Sequence, residues 1–488
     1  MRVSPAWRAL QLAALTALLA GIGFLSVDRK LSVLGSDIGW HLKTGEWILQ
    51  HRAFPHTGIL SRTAATRPWI AYSWGYELLL SRSYAWRGLV GMALFGTALT
   101  LLVAFSIFWM ADRLSKRFWI ALGLAVVGCY SILLLRTVPR PAFFSIALFC
   151  VVLTLLFESQ RDGRVQRLYW LPLVFLVWAN LHIQFVYGLA ALALLLAVNV
   201  ALQLAPRLSR PSGYIVPSNL PSAPLAMILA LCVLATMIGP YSYHLYGVIF
   251  RYSQARVPYA MVQELQPFRL RLPGNYVQLL LAVAAFAAVG FRKQLDLFKL
   301  FLLALATVFA YRTMRDAWFQ CMVAVACLAD FAHGRAEAEQ RRSPLQLAGV
   351  CAALVLLLCL LAPLADFNQS ALERAIAAMY PVDAVHYLEQ NPAPGPLWNI
   401  FDWGGFLAWY LPQYPVAIDP RTDLYGDELL DRFNRTKDAA ADYRNDPYLN
   451  EAGLVLLRTR GPLAQLLQTD PRFRQAYADR IATVFVRR

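Results

Sequence analysis

Asp37 and His41 stand four residues apart in the stretch GSDIGWHLKTGEW, Gly35 to Trp47. On a helix this spacing puts Asp37, Trp40, His41 and Thr44 on one face. A carboxylate and an imidazole placed together can take the proton of an attacking hydroxyl. They could also begin a metal site, for which an i, i+4 pair alone is a thin signal. The loop continues as ILSRTAATRPWIAYSWGYELLL, which supplies Trp69, Tyr72, Trp74 and a second carboxylate, Glu77. Simpler roles are open as well. Asp37 after Gly35-Ser36 suits a helix N-cap, and His41 suits a structural or interfacial position. Trp40 and Trp47 fit the lipid headgroup level, where an amphipathic loop would hold Asp37 and Glu77.

A second set of residues could bind anions. LRTVPRP carries Arg136 and Arg140, and YRTMRDAW carries Arg312, Arg315 and Asp316. Guanidinium forks match phosphate oxygens and keep their charge in a partly dry setting. The competing role is a salt bridge from Arg315 to Asp316 or Glu264 that fastens helices. His182 in ANLHIQF, Tyr241 and His244 in GPYSYHLY, and Glu264 complete the polar residues expected around one outer cavity. Further on, YPVAIDPRTDLYGDE reads as a strand ending at Asp419-Pro420-Arg421, and a strand-end loop commonly carries binding residues. Asp419 and Arg421 are read as such, Asp423 and Asp427 as turn-stabilising groups.

These groups need elements to hold them, and the composition says which kind. Of 488 residues 58% are hydrophobic and only 15% charged, too apolar for a soluble domain. A spanning helix takes roughly 20 apolar residues. Windows near residues 9–27, 89–111, 118–135, 142–157, 168–181, 184–205, 223–239, 276–291, 297–311, 317–332 and 345–363 qualify, with the long run Leu168 to Ala205 divided at Asn180 to Gln184. The net charge of +16 does not point to nucleic acid, because the stretch from Asp366 onward holds 13 basic and 16 acidic residues. The basic excess lies in short clusters at every second connection, such as Arg113/Lys116/Arg117 and Arg292/Lys293/Lys299, as a positive-inside bias requires. Those clusters are assigned to the cytoplasm, with little role beyond topology. An odd number of spans then leaves the loop Asp28 to Arg87, the loop Pro240 to Asn275 and the tail outside.

All seven cysteines fall within the apolar windows, so no disulfide framework or Cys-x-x-Cys metal site is implied. The first apolar run is long and lacks a small-residue cleavage site, which reads as an uncleaved span. In the tail, helical PVDAVHYLEQ, WGGFLAWYL, LYGDELLDRF and PLAQLLQ alternate with strand-like PLWNIF, YPVAID, AGLVLLRT and IATVFVRR. That alternation predicts a small α/β domain with a mainly parallel sheet. The expected fold is a polytopic α-helical membrane protein of about eleven transmembrane helices over 1–363, with a C-terminal α/β extracytoplasmic domain over 364–488.

A first span, a long outer loop with the early carboxylate of DIGWHLKTGEWIL, RPW followed by Trp74 and Glu77, WANLH, and WNIFDWGGFLAWYLP with VAIDPRTDLY together resemble the GT-C superfamily of membrane glycosyltransferases. Within it the chain is similar to bacterial multi-pass proteins related to protein-mannosyltransferase and oligosaccharyltransferase-type enzymes. It departs from that pattern at Tyr72-Ser73, where His-Glu is expected, and at Ile183, where Gly is expected. The resemblance implies an inverting transfer from a sugar on a polyprenyl phosphate or diphosphate, in the bacterial inner (cytoplasmic) membrane, to a glycan, lipid or protein acceptor on the outer face. In it Asp37 acts as base or acceptor-orienting group with His41 and Glu77 beside it. Arg136, Arg140, Arg312 and Arg315 meet the phosphate, and some relatives use a divalent cation, Mg or Mn. Two other readings stay open: an O-antigen ligase- or polymerase-like enzyme that depends on arginines and a histidine, and a non-catalytic transport or assembly component. The latter predicts inverted repeats and mid-span polar residues, and neither is evident.

Overall fold

A computed structural model of the chain describes residues 4–135, 138–205, 214–217, 220–270, 273–333 and 344–488. Packing divides it into two compact units. The first comprises Met1–Arg29, Gly96–Tyr243 and Gln263–Ala365, the second Lys30–Phe95, His244–Val262 and Asp366–Arg488.

The first unit is a bundle of apolar helices. Each predicted window contains a helix, and six helices are long and apolar enough to cross a membrane: Pro5–Asp28, Trp74–Ser115, Ala142–Asp162, Ile183–Leu204, Pro273–Gly290 and Ala348–Ala365. The chain is a multi-pass membrane protein. The division within Leu168 to Ala205 falls where it was expected: a helix ends at Leu181, His182 is extended, and a new helix starts at Val186.

At the centre lies Ala317–Phe331, whose AWFQCMVAVAC stretch is buried throughout. Its small Ala, Val and Cys side chains let Phe118–Leu135, Ala142–Asp162, Pro273–Gly290 and Leu297–Arg312 pack close to it. Several buried polar groups there bond within the bundle, while Trp318 Nε1 and Gln320 Nε2 make no hydrogen bond among the described residues. Trp178 Nε1 donates to Ser145 Oγ at 2.7 Å, and Gln278 Nε2 donates to the Ala317 carbonyl at 2.6 Å.

Some basic residues that the sequence assigned to topology alone do more than that. Arg161, Arg292 and Lys299 converge on the buried carboxylate of Asp330 at 2.5, 2.8 and 2.8 Å, and Arg113 and Arg167 meet Glu158 at 2.9 and 3.2 Å. A carboxylate taken out of water needs partners of this kind to stay ionised.

The helix that begins at Trp74 corrects the expected extent of the first loop. It runs to Ser115 and is interrupted only at Arg87-Gly88. Gly88 has φ +58°, a conformation open to glycine at little cost, so the predicted span start at residue 89 is a break within a longer helix.

In the second unit, strands β1 (Leu397–Asn399), β2 (Leu454–Arg458), β3 (Phe473–Ala478) and β4 (Ala482–Arg487) form a sheet of order β1-β2-β4-β3. Only β1 and β2 are parallel; β2/β4 and β3/β4 are antiparallel, so the mainly parallel sheet is not what forms. The missed strand is β3, FRQAYA, which is mostly exposed and lacks an apolar pattern. Asp479 creates its turn by accepting from the Ile481 and Ala482 amides at 2.6 and 2.7 Å. YPVAID, expected as a strand, makes one bridge, from Val416 to Ser61. It is held mainly by Asn399, which accepts from the Ala417 amide at 2.8 Å and donates to the Ile418 carbonyl at 2.8 Å. A buried side-chain amide thus replaces a ladder.

Removing the charge of Asp330 leaves three cations around one neutral group. Asp330→Asn is expected to cost about 3–5 kcal/mol, read as a lower unfolding temperature of the detergent-solubilised protein. An unchanged temperature would show that these pairs contribute little.

Candidate active site

The helix Ile38–His51 carries the opening cluster, and glycines bring it close to its neighbours within the second unit. A Cβ on Gly39 would overlap the Gly405 carbonyl, and one on Gly45 would overlap the Glu77 carbonyl. Backbone therefore lies against backbone, which brings the buried His41 Nδ1 to 3.1 Å from Glu77 Oε1. The His41 ring lies 3.6 Å from Trp40 and 5.1 Å, edge to face, from Tyr76.

Asp37 occupies the N-cap position of this helix, yet its side chain makes no capping hydrogen bond. It is half-buried, with Ser36 Oγ 3.5 Å from its Oδ1. The structural role open to it in the sequence is not the one its side chain takes. The headgroup-level reading fails for Trp40, 5% exposed, and for Glu77, 1% exposed; Trp69, 3% exposed, lies inside with them. All three are packed inside the protein.

Arg421 lies beneath the two tryptophans. Its Cζ is 4.5 Å from the Trp69 ring and 5.9 Å from Trp40. It grips Asp419 in a bidentate pair, Nε to Oδ1 at 2.9 Å and Nη2 to Oδ2 at 2.6 Å, and also donates to the Ile59 carbonyl at 2.7 Å. Tyr425 donates its hydroxyl to Asp419 Oδ2 at 2.8 Å. Burial opposes the charge of Arg421, but Asp419 outweighs it and raises the guanidinium pKa. The Asp419–Arg421 pair is thus largely occupied with itself.

Asp423, expected to be a turn residue, has a more chemical character. Burial pushes its carboxyl up to about 6 against the pull of Arg421, and its charge is felt by Glu77. The signal available in the sequence was the spacing Asp-x-Arg-x-Asp in IDPRTDLY, which puts a second carboxylate beside the arginine. His244 is exposed at the first residue of the helix His244–Gln254 in the same unit.

The remaining candidates belong to the first unit. Arg140 Nη1 pairs with Glu264 at 2.7 Å, and Arg315 Nε lies 3.5 Å from the same carboxylate. The helix-fastening salt bridge therefore exists, to Glu264; Asp316 accepts from Thr313 Oγ1 at 2.9 Å. Arg312 ends the helix Leu297–Arg312 and is exposed. Tyr241 is buried, and His182 Nδ1 meets Ser145 Oγ at 2.8 Å. Arg136 lies outside the described residues. Among the described residues no three His, Cys, Asp or Glu side chains come together in a way that could hold a metal ion.

No family model and no curated protein matches the chain. Solved structures do. ArnT from Cupriavidus metallidurans, in a crystal structure bound to undecaprenyl phosphate, superposes with a TM-score of 0.51 at 14% identity, over 99% of this chain and 98% of that one. The chain shares the fold of ArnT. Arabinofuranosyltransferase AftD from Mycobacteria also shares it, with a TM-score of 0.53 at 13% identity, over 100% of this chain and 40% of AftD. At these identities the GT-C likeness is one of fold. The expected resemblance holds at that level.

The raised Asp423 pKa has a consequence for stability. The folded protein keeps this proton up to about pH 6, whereas an ordinary aspartate releases it near 3.8. Its contribution is therefore full below 3.8 and is lost as pH rises through about 6. Unfolding temperatures of wild type and Asp423→Asn, compared between about pH 4 and about pH 7, should diverge, with wild type losing ground at the higher end. A constant difference would rule out this titration.

Proposed function

We propose that this chain is a glycosyltransferase that moves a sugar from a polyprenyl-phosphate-linked donor to an acceptor on the outer face of a bacterial inner membrane. Eleven spans and an extracytoplasmic 364–488 segment belong to this reading. Support comes from the GT-C fold shared with ArnT, a protein seen bound to undecaprenyl phosphate, and with AftD, an arabinofuranosyltransferase. The observation that carries the reading to residues is the state of Asp37. It is a half-buried carboxylate at a helix start that does not cap that helix, one turn before the buried His41–Glu77 pair.

In this mechanism Asp37 accepts the proton of the acceptor hydroxyl as its oxygen attacks the anomeric carbon. The bond from that carbon to the donor phosphate oxygen breaks, the phosphate leaves with the electron pair, and the configuration inverts. The His41–Glu77 pair is a positioning element: it fixes the face of the helix on which Asp37 stands. The departing phosphate needs fixed positive charge. Arg140 and Arg315, which both reach Glu264 at a partly exposed place, are its candidate source, together with Arg312.

In membranes supplied with labelled lipid-linked sugar, Asp37→Asn should lower transfer by about 10²–10⁴-fold. Transfer unchanged in Asp37→Asn but abolished in Arg315→Ala would favour the ligase-like enzyme. Glycan products unchanged in both would favour the transport or assembly role. A phosphatase fused after Arg488 should be active outside the cytoplasm, and an inactive fusion would refute the proposed sidedness.

A further inference from the structure

We propose that the second unit contains a binding site for a neutral, polyhydroxylated ring, a sugar, formed around Trp40, Ser73, Glu77 and Arg421. The observation is a concentration of buried polar atoms whose hydrogen bonds are unmade. Trp40 Nε1, Thr44 Oγ1, Ser73 Oγ, Glu77 Oε2 and Arg421 Nη1 have no partner among the described residues. All five residues are within 5% of full burial. Native interiors leave only a few such groups per hundred residues, and five on adjoining residues point to a ligand that completes them.

The groups are neighbours. Trp40 lies against His41, and His41 bonds Glu77 through the oxygen that is not orphaned. Ser73 is one turn before Glu77, whose amide donates to the Ser73 carbonyl at 3.1 Å. Thr44 precedes Gly45, which packs on the Glu77 backbone. Arg421 lies beneath the Trp40 ring, and its charge is felt by Glu77.

The ligand class follows from charge and from the mix of donors and acceptors. Asp419 cancels most of the charge of Arg421, and two further carboxyl groups, Glu77 and Asp423, stand nearby, so nothing there favours a phosphate or carboxylate. The N–H groups of Trp40 and Arg421 oppose a cation. A hydroxyl is both donor and acceptor, and several on one ring can meet a carboxylate, a guanidinium, an indole N–H and two hydroxyls together. The edge-to-face pair of Trp40 and Trp69, 6.2 Å apart, adds the apolar surface that the C–H faces of a sugar require. The ring is either the transferred sugar or the acceptor sugar, an assignment that rests on the glycosyltransfer reading; the site itself does not.

The test uses the full-length protein in nanodiscs, with methyl α-mannopyranoside, methyl β-glucopyranoside and methyl α-arabinofuranoside as neutral probes and glucose 1-phosphate as the anionic one. Saturation-transfer NMR should show saturable binding of at least one neutral glycoside and none of the phosphate. Glu77→Gln and Trp40→Phe should weaken it by about tenfold or more. Ser73→Ala, a smaller truncation, serves if either variant fails to fold. Absence of saturable binding by all three, or preferred binding of glucose 1-phosphate, overturns the proposal. With labelled donor present, a bound glycoside that becomes glycosylated identifies an acceptor site, and one that only inhibits identifies the site of the transferred sugar. Glycoside binding without any transfer would sink the glycosyltransfer reading and keep the site. Transfer that persists without glycoside binding would do the reverse.

Discussion

The second unit is organised around one fully buried ion pair. Arg421 and Asp419 both have fully buried side chains, and each satisfies the other through two parallel hydrogen bonds. Two charges in such a place are tolerable only with this geometry, because desolvation opposes each of them. The pair also ties distant segments together. Arg421 holds the Ile59 carbonyl in the first loop, and Asp419 holds Tyr425 in the helix Thr422–Lys437. The indoles of Trp40 and Trp69 cover the guanidinium, and weakly hydrated arginine tolerates such aromatic cover where lysine would not. The first-loop cluster and the IDPRTDLY segment, some 380 residues apart in sequence, thus share one core.

This arrangement explains which parts of the fold could be read from sequence. The helix windows were legible because lipid demands long apolar runs, and the interruption at Asn180 to Gln184 was legible because the run was too long for one crossing. The His41–Glu77 pair was visible only as two separate candidates. What joins them is the close approach at Gly45, a backbone contact that leaves no periodic trace. Trp40 misled for a related reason. Indole suits both a headgroup layer and the cover of a buried cation, and only the arginine's location decides between them. In the tail, β3 was hidden by its polar composition, and YPVAID looked like a strand because Asn399 supplies the bonds that a neighbouring strand would otherwise give.

Asp37 and Asp423 show how far local sequence carries a functional reading. Asp37 stands where a capping residue would stand, and its type and neighbours permit that role. Its side-chain orientation decides whether it caps the helix, and sequence does not encode orientation at one residue. Asp423 erred in the other direction. As a solvated turn residue it would be an ordinary ionised carboxylate; beside a buried Arg–Asp pair, desolvation raises it toward neutrality.

The two arginine centres also differ in what they can recognise. Arg421 is buried with a single carboxylate in bidentate contact, so its charge is cancelled within the protein and its remaining N–H can offer direction but little net field. Arg140 and Arg315 both reach Glu264, and their side chains are 27% and 30% exposed, so they stand where solvent can reach them. A leaving phosphate is stabilised by charge that survives, and a neutral hydroxyl by directed bonds in a place where charge has been balanced. On the proposed reading the same residue type serves two tasks, and burial separates them: Arg421 is sealed in with Asp419, whereas Arg140 and Arg315 are open to solvent.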